Sequence, residues 1–153
     1  MKNQYMQMAL EQARRAAENG EVPVGAVLVY QDRIIAMAHN LTESRRDPTA
    51  HAEILAIREA CQKLEQGRLV DCDLYVTLEP CTMCAGAISH ARVRRLIYGA
   101  YDPKGGAVDH GGRFFQSATC LHRPEVISGV SETESGELLK RFFLPKRNTA
   151  NLY

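Results

Sequence analysis

Two short motifs constrain this chain more than anything else in it: "TAHAEIL" at residues 49–55 and "LEPCTMCAGA" at residues 78–87. Either one alone is ambiguous. A histidine two residues from a glutamate suits the buried face of an ordinary helix. A lone C-x-x-C also suits a thioredoxin-like redox pair. In this chain, however, Cys81 and Cys84 come directly after a strand pattern and open a helix. Residues three apart share a helix face, so both sulfurs can reach one point. The free N–H groups and positive end of the helix favour thiolates, the form that binds metal. His51 and Glu53 pose a geometric demand of their own. Two residues apart on a helix, they diverge by roughly 200°. They can serve one centre only if it lies over the open first turn. The motifs together therefore require two helices that meet end-on at their N-termini, beyond the carboxyl ends of strands, where open α/β sheets carry their sites.

The rest of the pattern supplies such a fold. Met6, Ala9, Leu10, Ala13 and Ala17 recur with a helical period over residues 3–19, and Gly20 is a plausible stop. "VGAVLVY" and "RIIAMAH", separated by Gln31 and Asp32, read as a hairpin. Thr49 is the expected cap of a helix to about Leu64. "CDLYVTL" is a strand, Pro80 starts a helix to about Ala91, and "RLIYGAY" is the next strand. Residues 101–120 are rich in glycine and unassigned; so long a loop in a small domain points to function. "EVISGV" gives a last short strand. Ser131 and Glu134 spell a capping box for a final helix that Pro145 should end or kink. Strands alternating with helices imply parallel pairing in the second half. The expected class is α/β, with helices on both faces of a mixed sheet.

At 153 residues the chain fits one domain with an adequate core. A composition 45% hydrophobic and 24% charged is that of a soluble globular protein, and no apolar run reaches a membrane span. The N-terminus lacks a secretory apolar core, so a cytoplasmic location is expected. Five cysteines, an odd number, argue against a disulfide framework. Net charge is +1, which gives no global field for nucleic acid. Basic residues cluster locally, in "RVRR" (92–95) and "KRFFLPKR" (140–147), as solvated surface or as phosphate contacts.

Counting candidate ligands gives His51, Cys81 and Cys84. The other cysteines, Cys61, Cys72 and Cys120, are scattered, and the other histidines show no paired spacing. Three ligands with an open fourth position is the arrangement of a catalytic zinc. Glu53 is the carboxylate at hand to move protons.

The pattern "HAE" followed by "PCTMC" resembles the established H-x-E…P-C-x-x-C signature of zinc nucleobase deaminases. "EVPVGAVLV", the His39–Asn40 pair, "DPTAHAEILA", "LYVTLEPCTMCAGAI", "YGAYDPKGGA" and "LLKRFFLPKR" extend the likeness over nearly the whole chain to the bacterial tRNA adenosine deaminases of the TadA family. That resemblance implies a cytidine deaminase-like three-layer α/β/α fold with a mixed five-stranded sheet and a homodimer. It implies hydrolytic conversion of adenosine to inosine at the wobble position of a tRNA anticodon. By the same resemblance His51, Cys81 and Cys84 hold one zinc ion per subunit and Glu53 shuttles protons. Asn40 hydrogen-bonds the target nucleotide and Val24 lines the base pocket. Separately, Asp102 and Lys104, in a loop just after a strand end on the side of the metal motifs, are the candidates to hold flanking nucleotides. After "GGA" the chain departs from the family, reading "VDHGGRFFQSATC" where many members have a Ser-Leu pair and a leucine-rich stretch. The competing readings are a deaminase of free bases or nucleosides of guanine or cytosine type, a secondary-metabolite or toxin-type deaminase, and a non-catalytic zinc-stabilised RNA-binding module.

Overall fold

A computed structural model describes residues 2–150, and the side chains of residues 3–145. Helix α1 (Lys2–Glu18) leads into the hairpin β1 (Gly25–Tyr30) and β2 (Arg33–His39). Then come α2 (Ala52–Leu64), β3 (Cys72–Leu78), α3 (Thr82–Ala91), β4 (Arg95–Ala100), a 3-10 turn at Phe114–Gln116, β5 (Glu125–Ile127) and α4 (Glu132–Ala150). The five strands form one sheet in the order β2-β1-β3-β4-β5. β1 pairs antiparallel with both β2 and β3, while β3–β4 and β4–β5 are parallel. This is the mixed sheet and the parallel second half that the alternation of elements predicts.

Successive strand residues point to opposite faces, and two cores follow. Ala26, Leu28, Leu74, Val76, Leu96 and Tyr98 pack beneath α2 and α3. Val27, Val29, Tyr75 and Ile97 pack with Tyr5, Met6, Ala9 and Leu10 of α1 on the other side, which α4 shares. Burying Leu10, Leu28, Leu74 or Leu96, each fully enclosed, stabilises the fold by roughly 1.5–3 kcal/mol per side chain. Gly25 lets α1 approach β1, because a Cβ there would lie 1.9 Å from the Ala9 carbonyl oxygen.

Four local expectations need correction. Thr49 does not cap α2: its N–H and hydroxyl both donate to Asp47 Oδ1, at 2.8 and 2.7 Å, and the helix begins at Ala52 after His51. Pro80 does not open α3; Cys81 is the N-cap and the helix starts at Thr82. The capping box does not form either. Ser131 adopts φ 57°, outside the extended conformation an N-cap needs, and the Glu134 carboxylate instead accepts the Gln7 side-chain amide at 3.3 Å. Finally, of the end or kink expected at Pro145, the end does not occur: α4 continues through it. The proline gives up one backbone hydrogen bond to the residue four earlier. The side chains of Lys146 and Arg147, in the basic C-terminal motif, lie outside the described residues. Among the described residues all five cysteines are free, and no helix is long and apolar enough to cross a membrane.

Candidate active site

The sheet brings the two motifs together. His51 is the N-cap of α2 and Cys81 the N-cap of α3, so the two helices present their N-termini to one point. Neither cap residue uses its side chain to close its own helix, which leaves both free to face the gap. His51 Nδ1 lies 3.7 Å from Cys81 Sγ and 3.5 Å from Cys84 Sγ. The three donor atoms all lie within 4.8 Å of one another. Zinc bonds of about 2.3 Å to sulfur and 2.0–2.1 Å to nitrogen, at tetrahedral angles, set sulfur and nitrogen about 3.6 Å apart. The donor set fits a zinc-sized tetrahedral ion.

The acid–base properties of the cluster agree with its geometry. The Cys84 thiol hydrogen-bonds Cys81 and draws its pKa down to about 4, against the effect of burial and with help from His51. Cys84 is pushed up by that same bond and by its own burial. A divalent cation held by both sulfurs would favour their thiolate forms and release protons on binding. Glu53, in the first turn of α2, is buried. Burial raises its carboxyl above the usual carboxylate range, and the charge of Cys81 adds to this.

A cavity of about 250 Å³ opens onto the cluster, lined by Val24, Asn40, His51, Glu53, Cys81 and Asp102 among others. Asn40 Oδ1 accepts the Ala52 N–H at 2.9 Å, so a residue beyond β2 caps α2, and the amide Nδ2 remains as a donor for the cavity. Asp102 Oδ1 accepts the N–H groups of Lys104 and Gly105, at 3.2 and 3.0 Å, and closes its own loop. Of the predicted residues, Val24, Asn40, His51, Glu53, Cys81 and Asp102 line this cavity; Cys84 lies buried behind it within the donor cluster, and Lys104 is exposed on the same loop as Asp102 and is not part of the wall. Sequence reasoning missed Val22, Thr42, Leu78, Glu79 and Gly105, which also line it. Glu79 had a signal: an acidic residue next to the metal motif at the end of a strand buried on both faces. Larger hollows of about 470 and 480 Å³ lie over β2 and at the opposite end of the sheet, with no comparable set of metal-ligating groups among the described residues.

The profile of the MafB19-like deaminase family matches residues 1–147. A tRNA-specific adenosine deaminase from Agrobacterium fabrum is 60% identical over 143 residues, 94% of each chain. The chain belongs to the tRNA-specific adenosine deaminase family. A solved structure from work on A-to-I editing by tRNA:A34 deaminases at the wobble position of transfer RNA is also 60% identical. It covers 89% of this chain and 99% of its own, with a TM-score of 0.88. The cytidine deaminase-like fold expected of the family is therefore present in this member. A guanine deaminase from Bacillus subtilis is 42% identical over 64% of this chain and 63% of its own, with a TM-score of 0.63.

Proposed function

We propose that this protein hydrolyses adenosine to inosine at the wobble position of a tRNA anticodon, using one zinc ion held by His51, Cys81 and Cys84. One observation carries the reading: a zinc-sized set of donors stands beside the buried Glu53 carboxylate, at a cavity open to solvent. The identity to tRNA-specific adenosine deaminases supports the same substrate class. A zinc ion held there would act as a Lewis acid and make water a nucleophile at neutral pH.

The residues of the chain do the rest. Glu53 accepts a proton from the attacking water and delivers it to the adenine ring nitrogen next to C6. As the C6–N bond breaks, Glu53 passes the second proton to the departing amino group, so that adenosine and water become inosine and ammonia. A carboxyl raised by burial suits both directions of transfer near neutral pH. Asn40 Nδ2 donates to the target nucleotide and Val24 packs against the base. A wobble base must leave its stack to enter such a cavity. Asp102 and Lys104 act on the neighbouring nucleotides, and the basic residues of the α4 region meet phosphates. The working unit is a homodimer in the cytoplasm.

The test is inosine detection after incubating zinc-loaded protein with tRNA bearing adenosine at the wobble position, beside free adenosine, cytidine and guanine. Inosine from tRNA alone is expected. Equal turnover of a free base or nucleoside replaces this reading with the small-molecule one, for which the likeness to a guanine deaminase is the specific reason.

A further inference from the structure

Glu79 follows β3 directly, and its side chain is wholly buried. It is not one of the metal donors. Its Oε1 accepts the Asp102 N–H at 3.0 Å and lies 2.8 Å from His110 Nδ1. Its Oε2 accepts three consecutive N–H groups, those of Val108, Asp109 and His110, at 3.2, 2.9 and 3.1 Å. Successive amides aimed at one point form an anion-binding nest, and here the chain's own carboxylate fills it. Gly106 passes close by: a Cβ there would lie 2.5 Å from both Glu79 Cδ and Oε2. A buried carboxylate is costly unless its oxygens are satisfied, and every donor that satisfies this one comes from a single segment, residues 102–110. That segment carries Asp102 and Gly105, two of the residues of the cavity wall. Its last three residues, Val108, Asp109 and His110, open the stretch "VDHGGRFFQSATC".

We infer that Glu79 and His110 are positioning residues for substrate binding: the buried carboxylate, locked by the His110 ring, holds residues 102–110 so that Asp102 and Gly105 stand at the cavity rim to meet the nucleotide beside the reacting base. The inference rests on the deaminase reading above. Glu79 suits the task because an ionised carboxylate only accepts, and all its partners donate. His110 sits at the surface end of the clamp, with about a third of its side chain exposed, so altering it does not empty the core.

The test compares His110→Ala, His110→Asn and Glu79→Gln in the full zinc-loaded chain. Inosine kinetics are followed on an anticodon stem-loop with adenosine at the wobble position, together with zinc content and amide hydrogen exchange. For His110→Ala, KM should rise about tenfold, the loss of one charge-assisted hydrogen bond, with kcat and zinc content close to parental. The Asn amide can donate to Glu79 where the imidazole did, so His110→Asn should bring KM back near the parental value. Glu79→Gln turns an NH2 toward N–H donors; it should raise KM further and speed exchange at Asp102, Val108, Asp109 and His110. The inference is overturned if His110→Ala keeps both KM and amide protection, or if kcat and zinc content fall in step with KM, the mark of a purely structural role. The His110 pair decides the matter even where Glu79→Gln does not fold. A parental protein that makes no inosine from the stem-loop overturns the substrate reading, and this inference with it; an active parent with an indifferent His110→Ala overturns this inference alone.

Discussion

Asn40 caps the helix that carries Glu53: its side-chain oxygen accepts the Ala52 N–H at 2.9 Å across twelve residues of chain. One amide thus accepts for the helix and, in the proposed function, donates to the nucleotide, and substitution can separate the two. Asn40→Asp keeps the acceptor and removes the donor. Its unfolding free energy should stay near parental while inosine formation falls sharply. Asn40→Ala should lose both, with about 1 kcal/mol of stability gone with the cap. Urea unfolding and turnover, measured on the same samples, check the split; a fully active Asn40→Asp protein removes Asn40 from nucleotide binding.

Glu53→Gln is nearly isosteric, so the protein should fold and hold zinc as before. Turnover should drop by about 10²–10⁴-fold, the usual worth of general acid–base catalysis. Single-turnover inosine assays at matched zinc content measure this, and wild-type rates would reject the proton-shuttle role.

Cys84→Ala removes a fully buried thiol of the proposed zinc site. Zinc by atomic absorption should fall well below one per chain. The apparent stability loss should be about 4 kcal/mol if the parental protein is assayed with zinc at a thousand times its Kd. Chelation of the parental protein should reproduce the effect, and added zinc should reverse it. Full zinc content in the variant takes Cys84 out of the donor set.

Glu21 gives a pH dependence whose sign can be worked out. It is buried before β1 and holds the loop after Asn40, accepting the N–H groups of Glu43 and Ser44 at 3.1 and 2.7 Å and the Ser44 hydroxyl. Burial raises its pKa, but the Ser44 and Glu43 bonds together outweigh that and leave it below its ordinary 4.5. A depressed carboxylate contributes stability that is present above the unfolded pKa and lost as pH falls through the folded one. The stability gap between the parental protein and Glu21→Gln should therefore be flat from neutral pH down to about 5 and narrow below it. A gap that is constant to pH 3 in urea titrations rules out this linkage.

Lys146 and Arg147 are assigned to phosphates from sequence alone. Replacing both with alanine should weaken tRNA binding and flatten the plot of log K against log salt by up to about two counterion units, since each contact contributes a slope near 0.9. An unaltered slope makes the basic end of α4 ordinary surface.

The strands were legible because β-branched and aromatic residues cluster in them and polar pairs such as Gln31–Asp32 separate them; β1, β2 and β3 fall on the residues that their patterns mark. The convergence of His51, Cys81 and Cys84 was legible because metal chemistry demands those residue types at that spacing. The helix starts were less so. Thr49 and Ser131 have the right residue type, but the N–H they would cap is claimed elsewhere or turned away, and Ala52 is served by a residue far off in the chain. Glu79 stayed hidden for a related reason. Its partners come from a segment with no periodicity, and only the parallel pairing of β3 with β4 brings Asp102 beside it.

The divided origin of the metal cluster bears on how the protein matures. Cys81 and Cys84 are near neighbours along the chain, whereas His51 stands beside them through the pairing of β1 with β3 and the packing of both helices on the sheet. Full coordination is then a report of tertiary structure. In denaturant, affinity for zinc should collapse in the same cooperative step as the sheet, so that metal retention in a mutant library reads out correct folding as directly as any spectroscopic signal.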